Sequence, residues 1–131
     1  TEPALAEINH GHWETLTRKQ AQQQYSVEYA LWEEDPFFFA PTGGEAGVHV
    51  LNRAMPAFLK LVHRHQNQQI VVVSHKATIR LLLGGLLGVD LRKYRRLFEQ
   101  DPACLNILNF TANSEAQLIV YNDTSHYQTL R

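Results

Sequence analysis

The chain has 131 residues, 44% of them hydrophobic and 19% charged, with a net charge of −1. That supports one domain with a core of its own and is too apolar for a disordered chain. Balanced charge excludes sequence-independent nucleic-acid binding through a basic surface. No apolar run reaches the length of a membrane span, and one cysteine, Cys104, excludes an internal disulfide and fits a reducing, cytoplasmic setting.

Residues 1–14 are irregular, punctuated by Pro3 and Gly11. Leu5, Ile8 and Trp13 already need burial there, which raises the expectation that further chain precedes Thr1. Thr17 can cap a helix over Arg18 to Gln23. Val27, Ala30 and Leu31 then give a second helical segment an i, i+3, i+4 stripe, and Asp35-Pro36 ends it. Phe37, Phe38 and Phe39 lead into Ala40-Pro41-Thr42-Gly43-Gly44, a loop whose aromatics are expected in the core. Glu45 to His65 is the longest predicted helix, striped by Val48, Leu51, Met55, Phe58, Leu59 and Val62. Pro56 should kink it, and His63 and His65 suit its negative end.

Ile70 to Val73 is four β-branched apolar residues in a row. Lacking polar alternation, it reads as a central strand of a parallel sheet, buried on both faces. The pattern switches at Ser74-His75 to an apolar helix from Ala77 to Leu87, which puts both residues at a strand's carboxyl end, where α/β sheets bind ligands. Lys76 opposes the helix dipole in the first turn, so helix physics alone would not choose it. With His75 and with Arg80 one turn on, it describes a pocket for an anion, most simply a phosphate, facing the helix N-terminus. Beyond Gly84-Gly85 and Gly88 come a short basic helix over Leu91 to Phe98, with Arg92, Lys93, Arg95 and Arg96 on its wet side, and two strands, Cys104 to Phe110 and Gln117 to Tyr121, joined through Asn113-Ser114. The tail from Asn122 to Tyr127 reads as a turn.

Other chemistry is thinner. His10-x-His12 and His63-x-His65 lack the further ligands a zinc site requires, so no metal or other cofactor is expected. Ser74 lacks the flanking glycines of a nucleophile elbow, and Gly84-Gly85-x-x-Gly88 follows a helix rather than a strand, so it is no dinucleotide fingerprint. Cys104 reads as inert core. Glu7, Glu14 and Glu45 are candidate general acids.

Four segments, in order, resemble the histidine phosphatase (phosphoglycerate-mutase-like) superfamily. Leu5 to Glu14 is similar to its L-x-E-x-x-x-G-x-W-E-G segment. Pro41-Thr42-Gly43-Gly44-Glu45 is similar to P-x-G-E-S with one extra glycine, and Arg53 falls where a family arginine follows. Val73 to Arg80 resembles V-x-S-H-G-x-x-I-R, and Asn122 to His126 resembles the closing N-x-T-x-H-L. The resemblance implies a three-layer α/β sandwich with a mainly parallel central sheet, forming one domain over residues 1–131. It implies hydrolysis of a small-molecule phosphate ester through a phosphohistidine intermediate. Glu7 would be the general acid and His75 the second catalytic histidine, with His75, Lys76 and Arg80 on the phosphate. Phosphoglycerate-mutase-type transfer and an inactive phosphate-binding or regulatory domain are the rival readings, and a homodimer is open.

Two departures stand out. The family's nucleophile lies in an R-H-G motif ending its first strand, and no Arg-His-Gly occurs in these 131 residues. The domain is therefore expected to be truncated at its N-terminus, leaving the edge of the Ile70–Val73 strand unpaired. Lys76 stands where the family carries glycine, and Ala46 where it carries serine.

Overall fold

The two strongest apolar stripes pack on each other. The computed structural model describes residues 1–111 and 115–128. Helix α3 (Gly47–Arg64) lays Val50 and Ala54 against Leu81 and Leu82 of helix α4 (Lys76–Leu87), and Leu5, Ile8 and Tyr94 complete these two clusters. Burying each large aliphatic side chain contributes about 1.5–3 kcal/mol, so this pair is a major source of stability. Pro56 lies inside α3 and exposed, while Gly88 ends α4 in the left-handed conformation.

Thr17 caps helix α1 (Arg18–Gln24) as expected, exchanging hydrogen bonds with Gln20 in a capping box. Helix α2 (Ser26–Glu34) departs from its predicted stripe: Val27 is 76% exposed and Leu31 is also exposed, whereas Trp32 is buried. The reason is aromatic. Trp13, Ala21 and Trp32 form a separate core with Tyr25, Tyr29 and Phe39, and this larger apolar payload sets the rotation of α2. Phe37 joins the α3–α4 core, while Phe38 is 64% exposed, against the expectation for all three phenylalanines.

After a 3₁₀ turn at Leu91–Lys93 comes helix α5 (Tyr94–Leu97), then an antiparallel pair, β1 (Leu105–Phe110) and β2 (Ala116–Asp123). The predicted Asn113-Ser114 turn lies outside the described residues. The tail is more regular than expected, because β2 runs through Asp123 and helix α6 (Ser125–Gln128) follows.

The fold is α/β, but the expected parallel sheet differs here. The only ladder among the described residues is the antiparallel β1–β2 pair. Ile70 to Val73 pairs with no strand among the described residues; Val72 packs on the Leu5, Ala54 and Leu82 cluster, but Val71 and Val73 are each 89% exposed, so the run expected to be buried on both faces is buried on one. A parallel strand is held by neighbours on both sides, and neither neighbour is formed by the described residues.

Candidate active site

Glu7 is held from several directions. Its carboxylate accepts the N–H groups of Ile8 at 3.0 Å, Ala77 at 3.2 Å and Thr78 at 3.3 Å. Ala77 and Thr78 are the second and third residues of α4, so Glu7 acts as that helix's cap from far away in sequence. His75, the residue in the N-cap position, gives no side-chain cap bond. The amides expected to face a phosphate are therefore taken by a carboxylate.

The segment before Glu7 is clamped as firmly. Ser74 Oγ donates to the Leu5 carbonyl at 2.7 Å and Thr78 Oγ1 to the Ala6 carbonyl at 2.7 Å. Arg53 donates to the carbonyls of Ala4, Ala6 and Glu7 and grips Glu45 through Nε and Nη2 at 2.9 and 3.0 Å. Glu45 accepts the Asn9 N–H at 3.0 Å, so it braces the loop carrying Glu7 and does not act as an independent acid. The arginine's hydrogen bonds hold the Glu45 carboxyl below the usual carboxylate range, against the opposing pull of partial burial. Folded Glu45 thus binds fewer protons than the unfolded chain in acid. Its stabilisation is present above the ordinary glutamate pKa and is lost as pH falls through the folded value. Arg53→Met should cost about 2–3 kcal/mol and flatten the acid side of a stability–pH curve, measured by urea unfolding.

Glu7, Lys76 and Arg80 line one cavity of about 250 Å³ with His10, Trp13, Glu14, Arg18, Tyr29, Trp32, Tyr94 and Arg95. Of the expected phosphate ligands, Lys76 and Arg80 meet Glu7 there, whereas His75 is exposed beside the cavity and outside its lining. Arg80 is buried, pairing with Glu99 at 3.5 Å, while its Nε has no partner among the described residues. Four cations and His10 face two carboxylates, and Glu14 already accepts the backbone N–H of His10 at 2.7 Å. The lining favours an anion.

Of the lining residues outside the expected site, three alter the chemistry of the cavity most. His10 stands edge-on to Trp32 at 5.8 Å, its Nδ1 buried without a partner among the described residues, and burial pushes its pKa below the ordinary histidine value. Tyr94 is buried, its phenol pushed up to about 12, so it stays neutral at physiological pH. Arg95, expected on the wet side of its helix, turns inward over Trp32. Only the Trp13-Glu14 end of the motif hinted at an aromatic wall. Among the described residues no three His, Cys, Asp or Glu side chains gather as a metal site, and no helix is long and apolar enough to cross a membrane.

A family model for the histidine phosphatase superfamily (branch 1) matches residues 1–124. The chain belongs to that superfamily. It is 36% identical over 125 residues to phosphoserine phosphatase 1 of Hydrogenobacter thermophilus, covering 95% of this chain and 58% of the relative. It is 31% identical to the adenosylcobalamin/alpha-ribazole phosphatase of Escherichia coli, covering 82% and 52%. Among solved structures, Bacillus stearothermophilus YhfR superposes with a TM-score of 0.85 at 24% identity, over 94% of this chain and 60% of that one. A mycobacterial glucosyl-3-phosphoglycerate phosphatase in complex with VO3 gives 0.78 at 26%, over 92% and 63%. The chain thus spans a little over half the length of these relatives. The histidine phosphatase membership and the α/β fold agree with the four motifs in the sequence.

Proposed function

We propose that the protein hydrolyses small phosphomonoesters through a phosphohistidine intermediate, with Glu7 as general acid and His75, Lys76 and Arg80 serving the phosphoryl group. The observation that carries this reading is Glu7 fixed at the start of α4 in a small cavity whose charge is mainly positive. In the first step a histidine nitrogen attacks phosphorus, the P–O ester bond breaks, and the Glu7 proton passes to the departing alkoxide. In the second, water attacks phosphorus, gives its proton to Glu7, and the P–N bond breaks. Negative charge spreads over the equatorial oxygens in both steps, where fixed cations stabilise it.

The nucleophile would come from an R-H-G strand, which residues 1–131 do not contain. The Ile70–Val73 run, unpaired among the described residues and exposed at Val71 and Val73, offers a backbone edge such a strand would pair with, which supports reading these residues as the larger part of one phosphatase domain. His75 is exposed and stands outside the cavity lining.

The test is phosphate release from p-nitrophenyl phosphate. Residues 1–131 alone should bind inorganic phosphate without turnover. Joined to an R-H-G strand they should turn over, and His75→Ala should reduce kcat/KM by on the order of a hundredfold. Turnover by residues 1–131 alone would overturn the nucleophile assignment. An R-H-G-bearing protein that binds phosphate but never releases it from an ester would favour a binding or regulatory domain.

A further inference from the structure

We propose that Arg95 is a specificity residue that binds a carboxylate on the alcohol part of the ester; the inference rests on the phosphatase reading above. The guanidinium of Arg95 lies 3.8 Å above the centre of the Trp32 ring, and its Nη1 donates to Glu33 Oε1 at 2.9 Å. Its side chain is 16% exposed and lines the same cavity as Glu7. Stacking and one ion pair fix the plane of the fork before any ligand arrives, so little side-chain entropy remains to be lost on binding. Among the described residues Nη1 alone has a hydrogen-bond partner, which leaves Nε and Nη2 with none. A rigid guanidinium edge with parallel N–H groups matches a carboxylate.

The placement separates this cation from those serving the phosphoryl group. Lys76 and Arg80 belong to α4, the helix whose amides hold Glu7. Arg95 belongs to α5 and is tied to α2 through Trp32 and Glu33, on the aromatic wall with His10. A general acid must reach the bridging ester oxygen, so the phosphoryl group and the alcohol lie to either side of it. With the phosphoryl group on the α4 side, the alcohol meets the α2–α5 wall and Arg95. A carboxylate on that alcohol makes the substrate class a phosphorylated hydroxy or amino acid.

The experiment compares O-phosphoserine with phosphoethanolamine, which differ by one carboxylate, and uses inorganic phosphate as reference. Dissociation constants come from 31P NMR titrations. The unsubstituted protein should prefer phosphoserine by on the order of tenfold. Arg95→Gln should erase that preference while leaving the other two ligands within about twofold, and Arg95→Lys should keep part of it as a point charge without the fork. No preference in the unsubstituted protein, or equal weakening of all three ligands by both variants, overturns the inference. Failure of the unsubstituted protein to bind even inorganic phosphate overturns the phosphatase reading, and this inference with it. Thermal melts of both variants show that each is folded at the titration temperature.

Discussion

Replacing Glu7 with glutamine in a catalytically complete protein should slow hydrolysis of an alkyl phosphate by roughly 10²–10⁴-fold. The loss on p-nitrophenyl phosphate should be far smaller. An alkoxide is a poor leaving group and needs its proton as the P–O bond breaks, whereas p-nitrophenolate departs without help. Glutamine keeps the length of the side chain and one oxygen able to accept the Ala77 or Thr78 N–H, so the fold around α4 should survive. The contrast between leaving groups distinguishes a lost proton donor from a damaged pocket, which would slow both esters alike. Equal losses on the two esters would remove Glu7 from the acid role.

Gly11→Ala should destabilise the protein by about 4 kcal/mol, read as a fall in the urea midpoint without a change in slope. Gly11 has a φ of +58°, and a Cβ added there would stand 2.2 Å from the Thr42 carbonyl oxygen and 2.5 Å from the Gly44 nitrogen. Both obstacles are backbone, so no side-chain rotation relieves them. The left-handed conformation alone accounts for about 1–2 kcal/mol with alanine. The rest comes from parting two loops joined by His12 N–H to Thr42 carbonyl at 3.1 Å and Glu45 N–H to Asn9 carbonyl at 2.7 Å. The same loops carry Glu7 and Glu45, so the variant should lose phosphate affinity along with stability. Gly44→Ala probes the contact from the other side, where a Cβ would meet the Asn9 carbonyl at 2.7 Å.

What was legible in the sequence follows the range of the interactions. Thr17 announces α1 because a cap acts within one turn, and the α3 stripe announces its helix because 18 residues give the period room to repeat. The β1–β2 pair was equally plain from its apolar runs. Long-range choices were hidden. Trp32 outweighs the Val27–Leu31 stripe only once Trp13 and Tyr29 are beside it. Arg95 sits on a four-residue helix, too short for any period to say which way it faces. The cap of α4 comes from Glu7, 70 residues before Ala77, where sequence reasoning looked to His75 and a bound anion. The motif order did bring Glu7, Lys76 and Arg80 to one cavity, and it is the wall opposite α4 that only the folded chain displays.

The most direct measurement is a 1H–15N NMR titration of the protein with inorganic phosphate. Saturable shifts should gather at the amides of Glu7, His10 and residues 75–80, and Lys76→Ala should weaken them. A second groove, lined in part by Arg92, Lys93 and Arg96, offers the competing basic surface. Shifts confined to those three residues, or the absence of any saturable shift, would contradict the placement of the phosphate site at the start of α4.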